Sequence, residues 1–207
     1  MTVTKIEQQK KNKSRYSVYI DDEFAFGLIM EDIIYFKLKE GEEIPLEKYE
    51  YIMDTTLYIR AQDAAVKYLG YKMRTAAEVK NKLREYEYSD DIIEKVLEFL
   101  EKYDYIDDVS YCEKYIKETI NLRPKGKYLI RHELKQRGID EETIDSVLED
   151  YDINEQEQAE MLLMKKYEDF AEMDRKELNR VYGYLQRRGY SFGVIKAAVA
   201  SLAEKGI

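Results

Sequence analysis

Residues 125–148 read KGKYLIRHELKQRGIDEETIDSVL, and this stretch decides the fold. Ile130 and Leu134 lie one helical turn apart, and so do Ile144 and Leu148, which mark a second apolar stripe. Between the stripes, Gly138 suits the left-handed position that follows a helix end, where a Cβ would clash. Asp140 suits the N-cap of the next helix, its side chain accepting from a first-turn N–H that has no partner inside the helix. The pattern predicts two short amphipathic helices joined by a tight turn. It recurs 51 residues away on both sides. Val79, Ile130 and Val181 correspond, as do Leu83, Leu134 and Leu185; Tyr88, Ile139 and Tyr190; Ile93, Ile144 and Ile195; and Leu97, Leu148 and Val199. Ser89, Asp140 and Ser191 repeat the cap, and Gly138 and Gly189 repeat the turn. In the first copy Glu87 stands where the glycine would be.

A helix precedes each pair, over 63–69, 109–120 and 155–167, and these leading helices do not keep the 51-residue step. Thr75 with Glu78, and Asp174 with Glu177, are capping boxes that start the middle helices of the first and third copies. The second copy starts its middle helix after Arg123-Pro124-Lys125-Gly126. The reading is three tandem three-helix units, residues 60–108, 109–154 and 155–207. A unit this short buries too little surface to be comfortable alone, so its apolar faces should be covered by neighbours. Stacked repeats predict an elongated, curved, mainly α body whose long surface suits a protein or polymer partner.

Residues 1–59 differ. Tyr16, Val18 and Ile20 alternate with more polar neighbours, Asp21-Asp22-Glu23 interrupt, and Phe24, Phe26 and Leu28 alternate again. Period-two alternation around a short acidic break predicts a β-hairpin, which needs a helix to pack on. A short helix is expected over 31–39, stopped by Gly41, and a longer one from Leu46 to near Tyr71, with Pro45 at its start.

Composition agrees with a helical, packed chain. Of 207 residues 44% are apolar and 37% charged, with 9 Gly, 2 Pro and 20 Tyr. The net charge of −9 argues against a general polyanion binder. A single cysteine excludes an internal disulfide and a multi-cysteine metal site, in keeping with the cytoplasm. The amino-terminal cations Lys5, Lys10, Lys11, Lys13 and Arg15 are followed by no apolar run of the roughly twenty residues a membrane span needs.

Several segments in order resemble the RecX family of recombination regulators. Met73-Arg74-Thr75-Ala76-Ala77-Glu78-Val79 resembles that family's Arg-Ser-x-x-Glu-Leu opening. Tyr105-Ile106-Asp107-Asp108, followed by Tyr111-Cys112 and Tyr115-Ile116, resembles its central Tyr-Ile-Asp-Asp segment. Lys125-Gly126, Ile130, Glu133-Leu134 and Gly138-Ile139 resemble its Lys-Gly…Ile…Glu-Leu…Gly-Ile run. The resemblance spans residues 60–207, and the amino-terminal hairpin is similar to the extension on longer members. Thr75 replaces the usual Ser and caps as well; Cys112 replaces the usual Ala and stays small and apolar. The resemblance implies a monomeric, cofactor-free modulator that binds the RecA filament on single-stranded DNA and restrains ATP hydrolysis and strand exchange. A direct contact with DNA would be weak. The alternative is an autonomous DNA-binding module, since small three-helix units often present a recognition helix.

Charge supplies the candidate site. Arg123, Lys125, Lys127, Arg131, Lys135 and Arg137, with His132, crowd the stretch from Asn121 to Arg137 against Glu133 alone. Ten Asp and Glu follow between Asp140 and Glu160 with no Lys or Arg. Arg187 and Arg188 occupy the related place in the third copy. These cations are candidates for facing acidic filament surface or DNA phosphate; the plain alternative is a solvated helix face. Asp104, Asp107 and Asp108 could hold Mg²⁺, but Asp107 or Asp108 is better read as a cap for the helix from Val109. Cys112, on a stripe with Tyr115 and Ile116, reads as a buried thiol and not a nucleophile. Lys125-Gly126-Lys127 lacks the rest of a phosphate-binding loop, and no acid, base and nucleophile set emerges. Tyr86, Tyr88, Tyr103, Tyr105, Tyr111 and Tyr115 either fill helix seams or stack on bases; packing is the expectation.

Overall fold

The computed structural model describes residues 1–10 and 12–206; Lys11, among the amino-terminal cations, lies outside them. The chain forms two compact units, Met1–Asp107 and Asp108–Ile207.

The first unit opens with an antiparallel sheet of strands β1 (Val3–Gln8), β2 (Arg15–Ile20) and β3 (Glu23–Ile29), in that order. The expected hairpin is β2–β3. Its turn residues Asp21 and Asp22 both have positive φ, 49° and 68°, the geometry that matches the twist of paired strands. Strand β1 escapes the pattern reading for a physical reason. A bulge between Val3 and Lys5 shifts the register, so buried Val3 and half-buried Ile6 are not an even number of residues apart.

Helix α1 (Met30–Tyr35) is shorter than the pattern predicts. Lys37 turns left-handed at φ 53°, and the Leu38 N–H bonds the Ile33 carbonyl at 3.0 Å, closing the helix before Gly41. Pro45 is the N-cap of α2 (Leu46–Tyr51), which runs through a π-helical turn (Ile52–Thr56) into α3 (Leu57–Leu69). Helices α4 (Ala76–Glu85) and α5 (Asp90–Lys102) complete the first triplet. One core joins Val18, Phe26 and Leu28 of the sheet to Ala61, Leu83, Ile93 and Leu100 of the helices. The sheet thus covers the apolar face that a lone triplet would expose.

The second unit holds two triplets, each with its own core. They are α6 (Asp108–Leu122), α7 (Lys127–Gln136) and α8 (Glu141–Glu149), then α9 (Glu155–Met164), α10 (Arg175–Gln186) and α11 (Phe192–Glu204). The repeated positions are buried in all three triplets, except that Val199 is half-exposed and Ala198 takes the inward place beside it. The leading helices do not keep the 51-residue step: the first runs unbroken from Leu46 through the π-helical turn to Leu69, the second starts at Asp108 and the third at Glu155. Both capping boxes form. Asp140 and Ser191 cap through their side chains, whereas Ser89 sits at its N-cap without that bond.

The three turns share one geometry. Glu87, Gly138 and Gly189 have φ of 62°, 81° and 82°. In each, the next residue's N–H reaches back to a leucine carbonyl: Tyr88 to Leu83, Ile139 to Leu134, Tyr190 to Leu185, at 3.2–3.3 Å.

Candidate partner-binding site

The basic strip lies on and around α7, and folding answers much of its charge. Arg131 Nε donates to Asp145 at 2.7 Å, and Lys135 pairs with Glu141 at 2.7 Å. Both carboxylates belong to α8, so the acidic run in the sequence lies back against the basic one. These pairs are solvent-exposed and contribute ~0–1 kcal/mol each, but they lower the net charge that α7 presents.

Lys125 is committed more firmly. Its ammonium donates to both Glu133 oxygens at 2.7 and 2.6 Å and to the Tyr115 hydroxyl at 3.3 Å. The Tyr115 hydroxyl also donates to Glu133. Burial works against the Glu133 charge, but the bonds from Lys125 and Tyr115 outweigh it and hold the carboxyl below its ordinary value. The same balance, burial opposed by Glu133 and Tyr115, raises the Lys125 ammonium. Arg137 donates to the Tyr111 hydroxyl at 2.7 Å and lies over the rings of Tyr111 and Tyr115. Tyr111 and Tyr115 pack on the second triplet's core, while Tyr103 and Tyr105, about half exposed, flank Phe99. His132 lies parallel to the exposed Tyr128 ring and shares a hydrogen bond with Gln136.

The remaining cations gather where the second and third triplets meet. Gly126, the N-cap of α7, donates its N–H to the Arg188 carbonyl at 2.8 Å. A Cβ on Gly126 would stand 2.2 Å from the Gly189 carbonyl oxygen, and one on Gly189 2.4 Å from Leu129 Cβ. Two glycines therefore let the turn between α10 and α11 press on the start of α7. Glu155 at the head of α9 accepts the Lys127 N–H at 2.7 Å, satisfying a first-turn donor of α7. This contact brings the segment of Arg123, Lys125 and Lys127 beside that of Arg187 and Arg188. Arg123 and Arg187 are exposed, Lys127 and Arg188 half-exposed, and the Arg188 guanidinium lies 4.8 Å from the Tyr184 ring centre.

Other candidates stay structural. Cys112 is fully buried, and burial pushes its thiol up to about 11, so it is a poor nucleophile at neutral pH. Helix α6 starts at Asp108, one residue before Val109, and no cluster of three or more potential metal ligands occurs among the described residues. Among them, no helix is long and apolar enough to cross a membrane.

Family models match the chain four times in order. The Regulatory protein RecX N-terminal domain matches residues 1–45, and the first, second and third RecX three-helix domains match 61–100, 107–148 and 154–199. The chain belongs to the RecX family. A regulatory protein RecX of Clostridium acetobutylicum is 39% identical over 200 residues, spanning 94% of this chain and 92% of its own. One from Clostridioides difficile is 33% identical, spanning 97% and 95%. A crystal structure of regulatory protein RecX matches with TM-score 0.62 and 29% identity, covering 99% of this chain and 98% of that one. RecX from Lactobacillus salivarius matches with TM-score 0.63 and 27% identity, covering 71% and 97%. As RecX predicts, the fold is mainly helical, with three-helix domains behind a small sheet.

Proposed function

We propose that this chain is a non-catalytic regulator that binds the RecA recombinase on single-stranded DNA, restrains its ATPase and strand exchange, and so regulates recombination and repair. It acts as a cytoplasmic monomer. The observation that carries this reading is the four RecX domains matched in order along the chain. The contact we assign is the glycine-lined junction of the second and third triplets, where Arg123, Lys127, Arg187 and Arg188 offer positive charge to acidic filament surface or DNA phosphate. Lys125, Arg131, Lys135 and Arg137 are assigned a lesser part in that contact, because carboxylates and tyrosine rings already engage them.

The test pairs two assays. Inhibition of RecA's DNA-dependent ATPase should weaken about tenfold in a Lys127→Glu/Arg187→Glu variant whose circular dichroism is unchanged. Affinity for naked single-stranded DNA should be modest and salt-sensitive. Intact inhibition in that variant removes the junction from the mechanism. Tight binding to DNA alone, without ATPase inhibition, would favour an autonomous DNA-binding module instead.

A further inference from the structure

The first unit holds a cavity of about 330 Å³ that the filament reading does not use. It opens between the start of β2 and the carboxyl end of α3, and Arg15, Arg60 and Lys67 line it against the lone carboxylate of Asp63. Asp32 behind the wall answers Arg60, so Arg15 and Lys67 against Asp63 leave a small local excess of positive charge in a chain of net charge −9. Four tyrosines, Tyr68, Tyr71, Tyr86 and Tyr88, supply ring surface.

The walls are built rather than accidental. Arg15 is buried, donates to the Tyr88 hydroxyl and, at 2.7 Å, to the Gly27 carbonyl, and its guanidinium lies 4.3 Å from the Tyr88 ring centre. Its Nε is buried with no partner, an unmet donor on a lining residue. Asp32, buried behind, grips Arg60 with both carboxylate oxygens at 2.6–3.2 Å and fixes its guanidinium. The Arg74 guanidinium packs 4.2 Å from the Tyr68 ring centre. Tyr71 differs: the residue is 75% exposed and stands at the rim.

We propose that this cavity binds one nucleotide unit. The base stacks on Tyr71, the phosphate meets Lys67 and Arg60, and Asp63 accepts from a sugar hydroxyl or a base amine. Cations alone would suit any carboxylate, but rings beside cations suit a planar base carrying a phosphate. The volume lies at the small end of ligand sites (~300–1,000 Å³), enough for one unit and not for a longer segment.

The experiment uses the full chain without RecA, so its outcome is independent of filament inhibition. Fluorescein-labelled oligo(dT) is titrated at low salt, with AMP as competitor, and 4-thiothymidine-containing oligo(dT) is photocrosslinked and mapped by mass spectrometry. The expected result is that Tyr71→Ala and Lys67→Ala each weaken oligonucleotide binding about tenfold, that Tyr71→Phe restores it, and that crosslinks fall within residues 60–88. Both substituted side chains are exposed, so the fold is not at risk. Competition by AMP marks a site for free nucleotides, and its absence a site for a strand; either supports the assignment. Unchanged affinity in both alanine variants, or crosslinks confined to residues 108–207, would overturn it.

Discussion

The turn at Glu87 and the turn at Gly189 have the same backbone and opposite employment. At Gly189 the absence of a side chain lets the turn press on Gly126 and Leu129, so two triplets share one seam. At Glu87 a side chain is kept although the left-handed conformation costs an ordinary residue ~1–2 kcal/mol. Its carboxylate accepts from Gln9 Nε2 at 2.5 Å and Ser17 Oγ at 2.9 Å, fastening the turn to the sheet. Next to it, Tyr88 receives buried Arg15. One repeat geometry thus docks on another repeat when the turn is bare, and on a sheet when the turn carries an anion.

Gly189→Ala should cost the most, about 3 kcal/mol or more, because it adds a left-handed Cβ and a collision with Leu129. Gly126→Ala should follow closely. Urea unfolding of the full chain should show the loss in the transition of the second unit only; a shift in both transitions would mean that the seam is not local. Arg15→Ala comes next, at about 2–3 kcal/mol in the first unit, since it strips the Gly27 carbonyl and Tyr88 hydroxyl of their donor and leaves a void. A series at Glu87 separates conformation from contact. Glu87→Ala should be less stable than Glu87→Gly by about 1 kcal/mol, and Glu87→Gly should lie near wild type, trading two hydrogen bonds for relief of the backbone. Equal stability of Ala and Gly would show that the conformation is not the cost.

The smallest effect concerns the Glu133 carboxyl, under about 1 kcal/mol. Its folded value is depressed, so its contribution is present above about pH 4.5 and is lost as pH falls through the folded value. The stability gap between wild type and Glu133→Gln should therefore be widest near neutrality and close in acid. Its partner Lys125 is raised, which places the corresponding loss above about pH 10.5. A gap that persists at pH 3 would assign the difference to packing.

How far these features could be read from the chain depended on their range. The 51-residue step, the capping boxes and the β2–β3 hairpin are local, and periodicity reports them. Strand β1 was hidden by its bulge, and the early stop of α1 by a lysine in a glycine-like conformation. The strip of cations was plain as composition, yet its pairing with α8 was not, because the two runs meet only when the helices fold back on each other. The cavity was missed altogether. Arg60, Lys67 and Tyr71 are near neighbours on and just after α3, but Arg15 of β2 and Tyr88 after α4 join them only through folding, and the set forms no motif.

The amino-acid sequence alone determined the helix triplets, their turns and the family they belong to, because each rests on spacings of a few residues and on the repetition of those spacings. Only the tertiary structure decided that the sheet completes the first triplet's core, that half of the basic strip is already engaged, and that cations and rings from separate elements line one open cavity. Those outcomes depend on burial and on which charges meet across helices, and neither has a fixed separation along the chain.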